Sequence, residues 1–277
     1  MFFDELAQRA RGETPLALVT ITKVTGSTPR EAGAKMLVDT SGLIAGTIGG
    51  GHLEKLAIRD AKLCLGDRTG RTFSYPLCAR TGQCCGGAVE TFVDVLNAGP
   101  ILYIFGAGHV GQALSRVMAE TPFLVRLIDE REEWVGASVG VHNIPDPVGR
   151  IHAEPLSAVD QLIWDNQRTY AVVMTHSHEL DYELIARLMS RPGRYLGLIG
   201  SRTKWDSFSN RLRQKAIMGT GEELNQIRRV RCPVGVDIGG KTPAEVAISI
   251  AAELVALHHK GYLIEKNTGE SRVESSF

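Results

Sequence analysis

At 277 residues, 43% of them hydrophobic, the chain is long enough for two modest domains with separate cores. Its 31 basic and 31 acidic residues cancel, and no basic stripe supplies the phosphate-neutralising contacts that nucleic-acid binding requires. Acids at Asp4 and Glu5 and the polar Ser249 and Glu253 within the longest apolar stretch, Val246 to Leu257, argue against a signal peptide and a membrane span.

Five cysteines, Cys64, Cys78, Cys84, Cys85 and Cys232, form a sparse, odd set that suits a reducing cytoplasm better than a disulfide framework. Free thiols are therefore available for chemistry.

Periodicity predicts a helix over Phe2 to Ala10, a strand over Leu16 to Val24, and a hairpin from Lys35 to Ile48 turning at Ser41-Gly42. An amphipathic helix follows from His52 to Leu65, then strands over Arg71 to Leu77 and Ala88 to Leu96. Asn97-Ala98-Gly99-Pro100 is the natural boundary, closing a mixed α+β domain over residues 1–98. Beyond it, strands at Ile101 to Phe105, Phe123 to Ile128, Tyr170 to Thr175 and Tyr195 to Ile199 alternate with helices at Val110 to Glu120 and Leu180 to Met189. That alternation predicts a Rossmann-like parallel sheet covered on both faces, over residues 99–262. Two polar helical stretches flank Gly219-Thr220-Gly221, and residues 263–277 read as a polar, disordered tail. The fold class is thus α/β, an N-terminal mixed α+β domain followed by a Rossmann-like parallel-sheet domain.

Glycines cluster at 46–51, 82–87, 106–111 and 235–240, where they let the backbone turn sharply or approach a ligand. Gly106-x-Gly108-x-x-Gly111 follows a strand and opens a helix, a context suited to receiving pyrophosphate on backbone N–H groups. Asp129 closes the next strand, where a carboxylate usually accepts from a ribose hydroxyl. His109, beside the helix N-terminus, is placed to crowd a standard dinucleotide and so to cap or gate the turn.

Thr175-His176-Ser177-His178-Glu179-Leu180-Asp181 enters the same crevice, with His176 or His178 suited to hydrogen-bonding a ligand and Asp181 read as helix-capping. Gly200-Ser201-Arg202-Thr203-Lys204 offers a hydroxyl from Ser201 and cations from Arg202 and Lys204 to an anion, or is a solvated loop. Gly49, Gly50 and Gly51 precede the helix carrying Glu54, as an anion-binding turn or a simple tight turn. Gly235 to Thr242 satisfies the spacing of a phosphate-binding loop, but Pro243 removes an N–H, and Thr242 with Glu245 reads equally as a capping box. Cys85, set before Gly86 and Gly87 as a flexibly placed thiolate, suits a soft metal or a persulfide; an inert buried cysteine is the competing view.

Taken in order, Gly26-Ser27-Thr28-Pro29-Arg30, Gly46 to Glu54, Cys85-Gly86-Gly87, Gly106 to Gly111, Asp129-x-Arg131-x-x-Trp134, Thr175-His176-x-His178, Gly197 to Lys204 and Pro233 to Gly239 resemble the XdhC/CoxI family, accessory proteins for xanthine dehydrogenase. The resemblance implies a protein that is not itself an enzyme. It would bind molybdenum cofactor (molybdopterin), hold it while a cysteine desulfurase supplies the sulfido ligand, and insert it into the dehydrogenase's molybdenum subunit. It also implies Cys85 as a contact to molybdenum, with the Gly50, Gly51 and Glu54 turn, the Gly106 to Gly111 turn and Arg202 serving the rest of the cofactor. A molybdenum-cofactor biosynthesis protein is a further implied partner, and a homodimer is the expected assembly. The alternative is an NAD(P)-dependent oxidoreductase, or another nucleotide-binding protein, using the Rossmann-like domain, with His176 or His178 as proton donor.

Overall fold

The structure, a computed structural model, describes residues 2–10, 12–77, 86–136, 148–217 and 222–261. Backbone contacts divide the chain into two compact units, Met1–Gly99 and Pro100–Phe277.

The first unit opens with α1 (Phe2–Ala10) and continues through β1 (Leu16–Thr25), β2 (Lys35–Val38), β3 (Leu43–Gly46), α2 (Gly51–Asp67), β4 (Arg71–Pro76) and β5 (Ala88–Leu96). Its five strands form an antiparallel sheet in the order β3-β2-β1-β5-β4. Alternation along β1 and β5 sends Ala17, Val19, Ile21, Val89 and Val93 to one face, where they pack with Leu53, Ala57 and Ala61 of α2. The Ser41-Gly42 turn is fixed by Asp39, whose carboxylate accepts from the N–H groups of Ser41 (2.8 Å) and Gly42 (3.0 Å).

The second unit contains β6 (Ile101–Phe105), α3 (His109–Ala119), β7 (Leu124–Asp129), α4 (Glu132–Val135), β8 (Gly149–His152), α5 (Pro155–Val159), β9 (Thr169–Val173), α6 (His178–Met189), β10 (Tyr195–Leu198), α7 (Arg202–Ile217), α8 (Glu222–Ile227), β11 (Val230–Arg231) and α9 (Pro243–Lys260). All six strands are parallel, in the order β11-β10-β9-β6-β7-β8. β6 and β9 are buried at every residue, as strands covered on both faces must be, so they read as unbroken apolar runs. One face packs Leu102, Ile104 and Val172 against α3 and α9; the other packs Tyr103, Phe105 and Val173 against α6. Strand order reverses between β6 and β9, and in doubly wound sheets the crevice outside that point is where ligands bind.

The parallel Rossmann-like sheet and the antiparallel sheet with helices before it agree with the sequence expectation. Four short elements, α4, β8, α5 and β11, escape the periodicity reading; each spans five residues or fewer, too few to repeat a 3.6- or 2-residue period. The expected polar tail lies outside the described residues.

Candidate functional site

Because β6, β9 and β10 are parallel neighbours, the turns leaving their carboxyl ends open on one edge of the sheet. These are the three segments singled out in the sequence: Gly106 to Gly111, Thr175 to Asp181, and Gly200 to Lys204.

In the first turn the glycines divide their labour. Gly106 has φ +115°, and a Cβ there would sit 2.3 Å from the Met174 carbonyl oxygen. At Gly111 a Cβ would lie 2.0 Å from the Gly106 oxygen, so α3 can only pack this close to β6 without a side chain. At Gly108 a Cβ would meet nothing within 4 Å. Gly108 is the N-cap of α3, with no side-chain cap, so the helix N-terminus faces space that a ligand group can enter.

Asp129 is placed at this turn and spends its carboxylate on the protein itself. Oδ2 accepts from the Ala107 N–H (2.7 Å) and from Arg131 (2.8 Å), while Oδ1 accepts from the Arg131 N–H (3.0 Å) and Nε (2.8 Å). Four acceptor positions are thus filled, leaving none for a ribose hydroxyl in this state. Burial alone would raise this carboxyl, but the Arg131 and Ala107 hydrogen bonds outweigh it and hold it below its ordinary value. Arg131 also lies over the Trp134 ring (5.1 Å), and the exposed His109 meets the same ring edge-on (5.4 Å). His109, Trp134, Arg131 and Asp129 therefore form a continuous chain beside the mouth of the turn.

At the second turn Ser177, not Asp181, caps the helix: its hydroxyl accepts from the Leu180 N–H. Asp181 is 1% exposed and accepts from the Thr175 N–H (2.9 Å), the Thr175 hydroxyl (2.7 Å) and Lys204 Nζ (2.5 Å). Lys204 is thereby withdrawn from the role of anion-binding cation, since a buried ammonium needs this carboxylate and the Ile199 carbonyl (3.1 Å). The pair ties the β9–α6 turn to the β10–α7 turn. His176 and His178 remain exposed on this rim. Ser201 accepts from the Lys204 N–H (3.2 Å), leaving the exposed Arg202 as the cation of this segment.

Near Arg202 a cavity of about 530 Å³ opens between the end of β10 and the segment leading into α9. Arg202, Asp237, Lys241 and Ser249 supply its polar lining. The phosphate-loop spacing of Gly235 to Thr242 does not make a phosphate cradle. Glu245 accepts from the N–H groups of Lys241 (3.2 Å) and Thr242 (2.9 Å) and from the Thr242 hydroxyl, a capping box with Pro243 in the first helical turn. Sequence reasoning found Arg202 and the Gly235 to Lys241 glycine cluster but not that they share one cavity.

In the first unit, Gly49, Gly50 and Gly51 all have positive φ and lead into α2. The Glu54 carboxylate turns back to accept from Gly50 N–H (3.2 Å), Ile48 N–H (3.3 Å) and the Thr47 hydroxyl. Two of the turn's donors thus already hold an anion, which favours the tight-turn reading of this segment. Cys85 lies outside the described residues, as do Cys78 and Cys84. The glycines after Cys85 are held rather than flexible. Gly86 N–H donates to the Leu77 carbonyl (2.9 Å), Leu77 N–H donates to that of Gly87 (2.8 Å), and a Cβ at Gly87 would sit 2.3 Å from the Ser27 oxygen. This close approach sets Gly86 and Gly87 directly against Ser27 of the Gly-Ser-Thr-Pro-Arg segment.

Among the described residues no three His, Cys, Asp or Glu side chains converge to hold a metal ion, and no helix is long and apolar enough to cross a membrane.

The chain is 34% identical over 257 residues to "Uncharacterized protein YqeB" of Escherichia coli, covering 91% of this chain and 45% of that protein. It is 29% identical over 167 residues to a probable xanthine dehydrogenase subunit of Bacillus subtilis, covering 59% of this chain and 44% of that protein. It thus spans less than half the length of either relative. A solved structure described as a xanthine dehydrogenase from Bacillus halodurans superposes with a TM-score of 0.48 at 18% identity, over 98% of each chain. Residues 102–254 match the XdhC Rossmann domain, and residues 9–76 match the XdhC and CoxI family. With more than half the chain inside the first of these and the second covering most of the remaining unit, the chain belongs to the XdhC/CoxI family.

Proposed function

We propose that this chain is an accessory protein for a xanthine dehydrogenase. In this reading it carries molybdenum cofactor as cargo, keeps it while a cysteine desulfurase provides the sulfido ligand, and delivers it to the dehydrogenase's molybdenum subunit. We expect it to act as a cytoplasmic homodimer, charged by a molybdenum-cofactor biosynthesis protein. The observation that carries the proposal is family membership across both units.

The geometry supports it in part. Molybdopterin brings a phosphate and a dithiolene-bound metal, so a carrier needs an anion-binding turn and a soft ligand. Within the second unit, the uncapped α3 N-terminus at Gly108 suits a phosphate, with His109 and Trp134 at its mouth and His176, His178 and Ser201 on the neighbouring rims. Within the first unit, Cys85 is the residue we assign to contact with molybdenum. Gly50, Gly51 and Glu54 are assigned a supporting role only, since Glu54 occupies the Gly50 N–H.

The oxidoreductase alternative draws less support. A nicotinamide dinucleotide would look to Asp129 for its ribose, and that carboxylate is committed to Ala107 and Arg131.

The test is the pterin content of protein purified without oxygen from cells that make the cofactor, read as its fluorescent oxidation product. Near-stoichiometric pterin, falling severalfold in a folded Cys85→Ala variant, is the expected result. Pterin-free protein despite an active cofactor pathway would end the carrier reading, and equal content in both proteins would remove Cys85 from the site.

A further inference from the structure

The cavity at the end of β10 has the makings of a second ligand site. It shares no lining residue with the Gly106 to Gly111 turn or the Thr175 to Asp181 turn, and of the residues the family resemblance gives to the cofactor it holds only Arg202. Its volume of about 530 Å³ is that of a small-molecule site.

The lining has the composition such sites have, with apolar walls and a few polar groups. Ile199, Val234, Val236 and Ile238 supply apolar surface; Ile238, at 49% exposure, is a large apolar side chain that folding alone leaves in water. The frame is fixed rather than loose. Ser249 Oγ donates to the Val236 carbonyl, Val236 N–H donates back to the Ser249 carbonyl (3.2 Å), and a Cβ at Gly235 would sit 2.4 Å from Ser249 Oγ. At the other end Glu245 holds the N–H groups of Lys241 and Thr242.

That pinning decides which groups are left to recognise a ligand. The Ser249 hydroxyl and the two N–H donors are spent within the protein. Asp237 Oδ1 accepts from the Gly239 N–H (3.2 Å), leaving Oδ2 open as an acceptor. Arg202 and Lys241 line the cavity without a carboxylate partner among the described residues. Lys204, the nearby cation that does have one, is held by Asp181. Two cations with no carboxylate partner among the described residues, one carboxylate acceptor and an apolar wall are thus presented to one space.

We infer that this cavity binds a phosphomonoester carried on a flat ring: Arg202 and Lys241 take the phosphate, the apolar wall takes the ring, and Asp237 accepts from a ring amino group or hydroxyl. A guanidinium pairs with phosphate through two parallel N–H donors, and a dianionic phosphate matches the two cations. Recognition runs through side chains, because Glu245 holds the N–H groups of Lys241 and Thr242 and Asp237 holds that of Gly239. A nucleoside monophosphate and a phosphorylated pterin share this chemistry.

Titration of pterin-free full-length protein with AMP, adenosine and inorganic phosphate, by calorimetry at low and high salt, tests the site. AMP binding that exceeds adenosine binding, weakens with salt and falls about tenfold or more in Arg202→Ala and Lys241→Ala identifies a nucleotide site. Both side chains are exposed, so these variants are expected to keep the wild-type melting temperature. If AMP does not bind but the same two variants, purified from cofactor-making cells, lose severalfold in pterin content, the phosphomonoester is the cargo's own. No AMP binding at millimolar concentration together with unchanged pterin content in both variants overturns the assignment. That result leaves the Cys85 test of the carrier reading untouched.

Discussion

Asp129 shows how a residue in the expected place comes to do a different job. The sequence puts a carboxylate at the end of the second Rossmann strand, but it does not reveal that Arg131, two residues on, folds back to consume it. The result is a rigid link between the β7 end and Ala107 inside the glycine turn. Asp129→Asn removes the charge from hydrogen bonds buried at 3% exposure and is expected to cost about 2 to 3 kcal/mol at pH 7. The carboxyl is depressed below its ordinary 3.8 in the folded state, so its stabilisation is complete above that pH and fades as pH falls through the lower, folded-state value. Urea titrations of wild type and variant should therefore show a gap that is constant from pH 7 to 5 and narrows below about pH 4. A gap of the same size throughout would mean that packing, not the charge, holds the turn.

Among the elements, the β6–α3 turn was the most legible, because each of its glycines answers a separate steric demand. Gly106 needs positive φ beside Met174, Gly111 needs close contact with the Gly106 carbonyl, and Gly108 is left open. Alanine at Gly106 or Gly111 is expected to destabilise by about 1 to 3 kcal/mol or more, whereas Gly108→Ala stays within about 1 kcal/mol of wild type. Gly108→Glu should melt like Gly108→Ala while losing anion binding at the turn. Equal destabilisation by all three alanines, measured by urea unfolding, would show that Gly108 is structural too.

Other elements hid their roles for a physical reason. Lys204 and Asp181 look like a ligand cation and a helix cap because each sits at a helix start. Their pairing across β9–α6 and β10–α7 is a tertiary contact that no local spacing encodes. The capping box at Thr242 and Glu245 was readable because all of its partners lie within three residues. The cavity beside it was not, since Arg202 and Lys241 come from segments that only the sheet order brings near each other.

At the scale of the whole molecule, the two units differ in how completely they bury themselves. The parallel sheet of the second unit is covered on both faces by its own helices, with β6 and β9 buried at every position. The antiparallel sheet of the first unit packs α2 on one face, while Phe92 on the opposite face is 40% exposed. A unit with two closed core layers and an ordinary domain length should fold without the rest of the chain. Residues 100–277 expressed alone are therefore expected to unfold in one cooperative urea transition and to keep any phosphate binding at the Arg202 and Lys241 cavity. They should retain severalfold less pterin than the full chain, because the residue assigned to the metal, Cys85, belongs to the other unit. A broad, non-cooperative transition would show that the parallel sheet depends on residues 1–99 for its core. Full pterin retention by the isolated unit would take Cys85 out of the carrier site.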